Sequence, residues 1–374
     1  MESLLRDAFK NTPPQPPSST FYLTKNEDID DEIVSILKSS LPRIRVIGIG
    51  GAGNNAVHRL NHVGIRGAET AAVNTDAQHL LNIRADKKLL IGKTTTRGFG
   101  AGNNPDQGHV AAKESVESLE SLVDADLVFI TCGLGGGTGT GAGPFIAKLA
   151  REKGALTVSV CTLPFRMEGA VRIENAIKGL RQIYEASDTV IVVPNEKLLQ
   201  LSSEITMIAA FKIADEILVR AVKGITELIT TPQLINLDFA DVRRILGDGR
   251  VAMIGMGEID TTKSKVDEAV LSALSNPLLN DLDISTAKKA LVCVLGGVDL
   301  TLRDAERIVL QIGREIEKGA EVIWGVSICE ELGKTVRVIV LLSDVSSPYL
   351  ESETILCGLE DLYDITNVFP QFQA

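Results

Sequence analysis

Between the apolar run Asp126-Leu127-Val128-Phe129-Ile130-Thr131 and the apolar helical pattern Pro144-Phe145-Ile146-Ala147-Lys148-Leu149 lies Cys132-Gly133-Leu134-Gly135-Gly136-Gly137-Thr138-Gly139-Thr140-Gly141-Ala142-Gly143. This placement constrains the fold more than any other segment, because a strand must turn into a helix through residues with almost no side chain. Glycines without a Cβ let successive backbone N–H groups converge on an anion, and a helix beginning near Thr140 aims the positive end of its dipole at the same point. Thr138 and Thr140 add hydroxyl donors. The segment reads as a phosphate cradle; the rival reading is a tight turn or linker with no ligand. It is not the lysine-bearing P-loop, since the Gly92-Lys93-Thr94 elsewhere has Lys87 where that motif requires its first glycine.

The strand-to-helix step recurs. Strands are expected over residues 44–49, 70–74, 88–91, 127–131, 155–162 and 189–193. Helices are expected over 54–63, 77–83, about 107–122, 141–153 and within 169–186. Repeats of this size predict a doubly wound, mainly parallel sheet with helices on both faces and ligands at the carboxyl ends of the strands. Residues 204–229, free of proline and apolar at helical spacing, predict a central helix ended by Thr231-Pro232. Beyond it, strands at 250–256, 290–295, 321–328 and 335–342, with helices near 264–275 and 302–319, predict a second, smaller α/β domain. The expected division is an N-terminal extension at 1–42, a nucleotide-binding domain at 43–203, the central helix at 204–231, a C-terminal α/β domain at 232–342 and a tail at 343–374. Asn11-Thr12-Pro13-Pro14-Gln15-Pro16-Pro17 predicts a mobile extension, and 30–37 a short amphipathic helix. Near the end, Asp361-Leu362-Tyr363-Asp364-Ile365-Thr366-Asn367-Val368-Phe369 reads either as a peptide ligand or as an element packed on the body.

With 374 residues, 44% hydrophobic, the chain can bury a full core. A formal charge of −11 with no concentrated basic surface argues against nucleic-acid binding and against attraction to anionic membranes. No apolar run approaches the length of a spanning helix and no signal peptide is recognisable, so no membrane insertion and a cytoplasmic location are expected. Cys132, Cys161, Cys293, Cys329 and Cys357 lack CxxC spacing and are expected to be reduced core thiols. His58 and His62 have the i,i+4 spacing of a metal pair, but Arg59 stands where HEXXH requires glutamate, so no protein-held metal is expected.

Gly48-Ile49-Gly50-Gly51-Ala52-Gly53 satisfies GxGxxG after a strand, so an NAD-dependent oxidoreductase must be weighed. That fold wants an acid ending its second strand; Glu69 comes too early and Asp76 lies past Asn74-Thr75. Asn54 and Asn55 read equally as base or sugar ligands and as helix N-terminal residues. A third loop, Arg97-Gly98-Phe99-Gly100-Ala101-Gly102-Asn103-Asn104-Pro105, can fold over a terminal phosphate. Three such loops at one sheet edge suit a nucleoside polyphosphate better than a single pyrophosphate. Glu168 and Arg172, four apart, form either a helical ion pair or a carboxylate for ribose hydroxyls beside a guanidinium. Asp238 caps the helix that follows, or acts with Asp241, three residues on, to align an attacking water with the help of Mg²⁺ on the phosphates. The central helix separates these acids from the glycine loops, so they meet a nucleotide only if subunits stack head to tail.

The order of Gly50-Gly51-Ala52-Gly53-Asn54-Asn55, Ala72-Val73-Asn74-Thr75-Asp76-Ala77, the Gly135 to Gly141 segment, Pro194-Asn195-Glu196-Lys197 and Asn236-Leu237-Asp238-Phe239-Ala240-Asp241-Val242-Arg243 resembles the tubulin and FtsZ family, in an archaeal form, over residues 43–342. The resemblance implies a GTPase that assembles into head-to-tail homopolymers for cell division, with GTP/GDP and Mg²⁺ as ligands. It implies phosphate contacts from Gly51, Ala52, Gly53, Asn54 and Asn55, and from Gly137, Thr138 and Gly139, with Gly50, Gly135 and Gly136 in the nucleotide-binding set beside them. Asn74, Asp76, Gly100, Ala101 and Gly102 join the nucleotide-binding set. Glu168 is implied for the ribose and Arg172 for the phosphate or sugar side. Asn195, Phe211 and Asp215 are implied for the nucleoside, with Phe211 stacking on guanine and Asp215 bonding its edge. Asp238 and Asp241 would be the catalytic pair given across the subunit interface. A mid-cell division ring and a membrane adaptor reached through the tail are further implications. Asn103, where relatives often carry a small residue, and a short tail depart from the pattern. A non-hydrolytic scaffold that regulates a related polymer is the remaining alternative.

Overall fold

The computed structural model describes residues 42–199, 206–230, 238–247, 251–261, 266–275 and 283–345. The expected extension and its amphipathic helix, the Thr231-Pro232 stop, Asn236-Leu237, Cys357 and the segment from Asp361 to Phe369 lie outside these residues.

Ten strands form a sheet in the order β3-β2-β1-β4-β5-β6-β7-β10-β8-β9. The first six are β1 (Ile44–Ile49), β2 (Ala68–Asn74), β3 (Lys87–Leu90), β4 (Leu127–Gly133), β5 (Leu156–Leu163) and β6 (Thr189–Pro194), all paired in parallel. Their order places a topological switch between β1 and β4, where a doubly wound sheet opens a crevice. Strands β7 (Val251–Asp260), β8 (Lys289–Gly296), β9 (Glu321–Ile328) and β10 (Thr335–Ser343) continue it as a mixed half. The seam is a short parallel ladder, Val190 with Val251 and Ile191 with Ala252.

Helices α1 (Gly50–Val63), α2 (Ala77–Asn82), α3 (Pro105–Glu114), α4 (Val116–Leu122), α5 (Thr138–Glu152), α6 (Ala170–Ala186) and α7 (Asn195–Leu198) surround the first half. The central helix is α8 (Met207–Thr230), followed by α9 (Phe239–Leu246), α10 (Val266–Leu274) and α11 (Leu302–Glu315). Alternation along β4 divides the core: Leu127 and Phe129 face one layer, Val128, Ile130 and Cys132 the other. The layer beneath α8 runs from Phe129 and Val160 through Leu218 and Val222 to Leu291 and Ile339, so both halves of the sheet share it. A separate apolar cluster, including Val292, Ile308 and Val338, fills the opposite face of the second half.

Several boundaries differ from expectation for local reasons. Helix α1 starts at Gly50 instead of residue 54, because Gly50 takes φ 72° and turns the chain at once. The helix expected over 107–122 is two helices, broken at Ser115, whose hydroxyl accepts the Gly92 N–H. Cys132 and Cys161 are buried thiols facing each other across β4 and β5 with Sγ atoms 3.6 Å apart. Cys293 is also buried, whereas Cys329 is only partly covered and is no core residue.

Candidate nucleotide site

The two strands that flank the switch each end in a glycine turn that opens a helix. Neither α1, capped by Ile49, nor α5, capped by Gly137, receives a side-chain cap, and neither has an acid in its first turn. Two bare helix N-termini thus converge at the crevice, an arrangement suited to an anion. Helix α5 begins at Thr138, three residues before the start of the expected 141–153 helix, which brings the Thr138 N–H into the turn.

The glycines divide into two kinds. A Cβ on Gly53 would stand 2.1 Å from the Thr131 carbonyl oxygen, and one on Gly139 2.6 Å from that of Gly133; these glycines let helix and strand backbones touch. Around Gly51, Gly102 and Gly136 a Cβ would meet nothing within 4 Å. These three border open space, one on each of the three loops, so their main chains are open to an approaching phosphate.

Asn74 ends β2 and its Oδ1 accepts from the Thr75 N–H at 2.9 Å, turning the chain. Thr75 Oγ1 lies 2.7 Å from Thr138 Oγ1, and its carbonyl accepts from Gly100 N–H at 3.1 Å, so one residue joins two of the three loops. Asp76 caps α2 by accepting from the His79 N–H at 2.9 Å. That role explains why no free acid ends β2, and with it the dinucleotide-dehydrogenase reading loses its ribose ligand. Asn55 Oδ1 reaches His79 Nε2 at 3.2 Å. Asn54 is fully buried; its Nδ2 donates to the Val73 carbonyl while its Oδ1 has no partner. Sequence reasoning missed Thr75 and His79 as site residues, although Thr75 was inside a quoted motif. It also missed Asn175, whose Nδ2 donates to the Asn103 carbonyl at 3.1 Å and to the Gly135 carbonyl at 3.3 Å.

Past the carboxyl end of β5, Glu168 Oε1 accepts the Phe165 N–H at 2.8 Å and Oε2 accepts from Arg172 Nη1 at 2.5 Å. The ion pair expected from the spacing is formed. Phe165 meets Phe211 edge to face at 5.1 Å, and Phe211 stays 40% exposed. Asn195, the first residue of α7, is buried with its Oδ1 unpartnered. Burial pushes the Asp215 carboxyl up to about 6, against the opposing pull of Arg59. The orphaned acceptors at Asn54 and Asn195 and the desolvated Asp215 carboxyl are polar groups whose hydrogen bonding the chain by itself leaves incomplete.

Asp238 and Asp241 lie elsewhere. Asp238 is the N-cap of α9 and accepts the Asp241 N–H at 2.7 Å, so its capping role is real. Asp241 pairs with Arg244 at 3.4 Å. Helix α9 is anchored where Arg243 donates to the Gly154 carbonyl, just before β5, and where Thr189, the first residue of β6, donates to the Leu246 carbonyl. These are the amino ends of the strands, whereas the glycine loops and Glu168 lie at carboxyl ends. The eight residues of β5 alone span about 25 Å between the two edges. No group of three His, Cys, Asp or Glu among the described residues could hold a metal ion.

A doubly wound sheet with three glycine loops at its switch point defines a nucleotide-binding protein of the phosphate-cradle kind. Family models agree on which kind: one described as the Tubulin/FtsZ family, GTPase domain, matches residues 43–203, and one described as the FtsZ family, C-terminal domain, matches 250–346. The curated relative "Cell division protein FtsZ 1" of Thermococcus kodakarensis is 51% identical over 354 residues, covering 94% of each chain. Its namesake in Methanocaldococcus jannaschii is 50% identical, over 85% of this chain and 87% of the relative. Among solved structures, the empty FtsZ dimer of M. jannaschii matches with TM-score 0.80 and 50% identity, over 86% of this chain and 92% of that one. The CetZ2 protofilament of Haloferax volcanii, 24% identical with TM-score 0.70, shares the fold. The chain belongs to the tubulin/FtsZ family and is a GTPase of its FtsZ branch.

Proposed function

We propose that this chain is a self-assembling GTPase of cell division whose hydrolytic site is completed between two subunits. The observation that supports it is the separation just described: the loops suited to a triphosphate and the acids suited to water activation occupy opposite edges of one sheet. Head-to-tail stacking brings the lower edge of one subunit onto the upper edge of the next, a heterologous contact that propagates into a filament.

In this reading Gly50 to Asn55 and Gly135 to Gly139 hold the phosphates through backbone N–H groups, and the Gly100-Ala101-Gly102 turn covers the terminal one. Asn74 and Asp76 shape the turn beneath that cover. Glu168 takes the ribose hydroxyls and Arg172 the sugar or phosphate side. Phe211 stacks on the base, while Asn195 and the ionised Asp215 accept from its N–H groups. Asp241 and Asp238 of the neighbouring subunit orient a water against the terminal phosphate; releasing Asp241 from Arg244 costs little, since that pair is exposed. Mg²⁺ would ride on phosphate oxygens and water, supplying charge neutralisation, because no carboxylate cluster is present among the described residues to cage it. The chain would work in the cytoplasm at a mid-cell ring, with its tail reaching a membrane adaptor.

Pelleting and phosphate release measured on the same samples over a dilution series provide the test. Turnover per subunit should rise with protein concentration and follow the pelleted fraction. Constant turnover across dilution would show that one subunit suffices and remove the shared site.

A further inference from the structure

Two of the glycine loops meet through one amide that no family motif quoted above contains. Asn175 stands on α6, one turn after Arg172, and is half-buried. Both contacts of its Nδ2 are to main-chain oxygens: that of Asn103 at 3.1 Å and that of Gly135 at 3.3 Å. The first belongs to the loop between β3 and α3, the second to the cradle after β4. Each carbonyl sits in unusual backbone, since Asn103 holds φ 61° without being glycine and Gly135 holds φ 107°. Both carbonyls therefore belong to turns rather than to a regular element, and a donor shared between them ties the two turns together.

The packing around this bridge leaves no slack. A Cβ on Gly137 would stand 2.8 Å from Ala101 Cβ and 2.9 Å from Asn104 N, so the same two loops touch a second time. Between the two contacts lie Gly102 and Gly136, the glycines that border open space.

We infer that Asn175 is a positioning residue that holds the Gly100-Ala101-Gly102 turn against the cradle, and so sets how much more tightly the site binds a triphosphate than a diphosphate. This rests on the proposed placement of the terminal phosphate beneath that turn. The amide touches no phosphate; it acts through the two loop backbones. A nucleotide lacking the terminal phosphate makes no use of the turn and, held by the cradle's remaining amides, should sense the bridge far less.

The isosteric variant Asn175→Asp keeps shape and removes both donated hydrogens, setting a carboxylate against two carbonyl oxygens. Asn175→Ala removes shape and donor together. Paired titrations of the full chain with GTPγS and with GDP, below the concentration at which it assembles, read the effect. The Asp variant should lose about ten-fold in GTPγS affinity, at least as much as the Ala variant, with GDP affinity within about two-fold of the unaltered chain. Retained GDP binding also certifies the fold. Equal losses for both nucleotides, or an Asp variant that behaves like the unaltered chain, would overturn the inference. An unaltered chain that binds neither nucleotide would instead bring down the site reading on which the inference depends.

Discussion

The two edges of the parallel sheet are built on opposite principles. At the carboxyl edge α1 and α5, unlike the side-chain-capped α2 and α3, start without caps, and Gly53 and Gly139 press main chains together. At the amino edge α9 is capped by Asp238, carries Asp241 in its first turn, and leaves Asp238 exposed. A helix N-terminus that supplies its own carboxylates has no need of an external anion, whereas one that supplies none attracts it. The same local element is thus a receptor at one edge and an acid-bearing projection at the other.

The sharpest break in this contrast comes from Asp241→Ala. Nucleotide affinity and GTP-dependent pelleting should survive, while phosphate release per pelleted subunit falls by about 100-fold, the scale of a lost acid-base group. Unchanged release in that variant would take Asp241 out of the reaction and leave the amino edge a structural surface.

Within the carboxyl edge the two kinds of glycine should respond differently. Gly53→Ala forces a methyl onto the Thr131 carbonyl and should cost about 3 kcal/mol of stability, seen as a lowered thermal midpoint. Gly136→Ala meets no neighbour, so stability should stay within about 0.5 kcal/mol while nucleotide affinity drops about ten-fold in titration. Equal loss of stability in both would mean that Gly136 packs against protein after all.

The smallest effect concerns the base. Burial holds the Asp215 carboxyl at about 6, above the ordinary 3.8, so the folded chain keeps a proton there that the unfolded chain has lost. Its contribution to stability therefore grows as pH falls from about 6 toward 4. Nucleotide affinity should move the other way, weakening by up to about ten-fold per pH unit below the same midpoint, because only the ionised form accepts from the base. GDP titrations across this window, with Asp215→Asn flattening the profile, check it. A profile unaltered by that substitution would separate Asp215 from the nucleotide.

Much of the fold was legible because its signals are local. Apolar runs bounded by glycine marked β1, β4 and β5 nearly to the residue, and Asp238 before an apolar pattern announced a capped helix. The Glu168 and Arg172 ion pair is one of the two readings their four-residue spacing allowed, formed although Glu168 lies in the turn before the helix. What escaped depended on residues far apart in sequence. The helix break falls at Ser115, whose hydroxyl accepts the Gly92 N–H from 23 residues away. Asn175 looks like any polar residue on a helix face, yet Asn103, 72 residues distant, gives it a task. Asp76 is spent on capping, and nothing in its own motif excludes a free carboxylate.

The sequence by itself determined the alternating elements, the three glycine loops and the acids after the central helix, since each is written in side-chain periodicity or in the absence of a Cβ over a few consecutive positions. Only the tertiary structure decided which glycines face open space and which face protein, that Asp215 is desolvated, that the core beneath α8 runs unbroken across both halves, and that α9 anchors at the foot of β5 and β6. Those properties belong to the surroundings of a residue, and surroundings are assembled by burial and hydrogen bonding between segments that no local pattern connects.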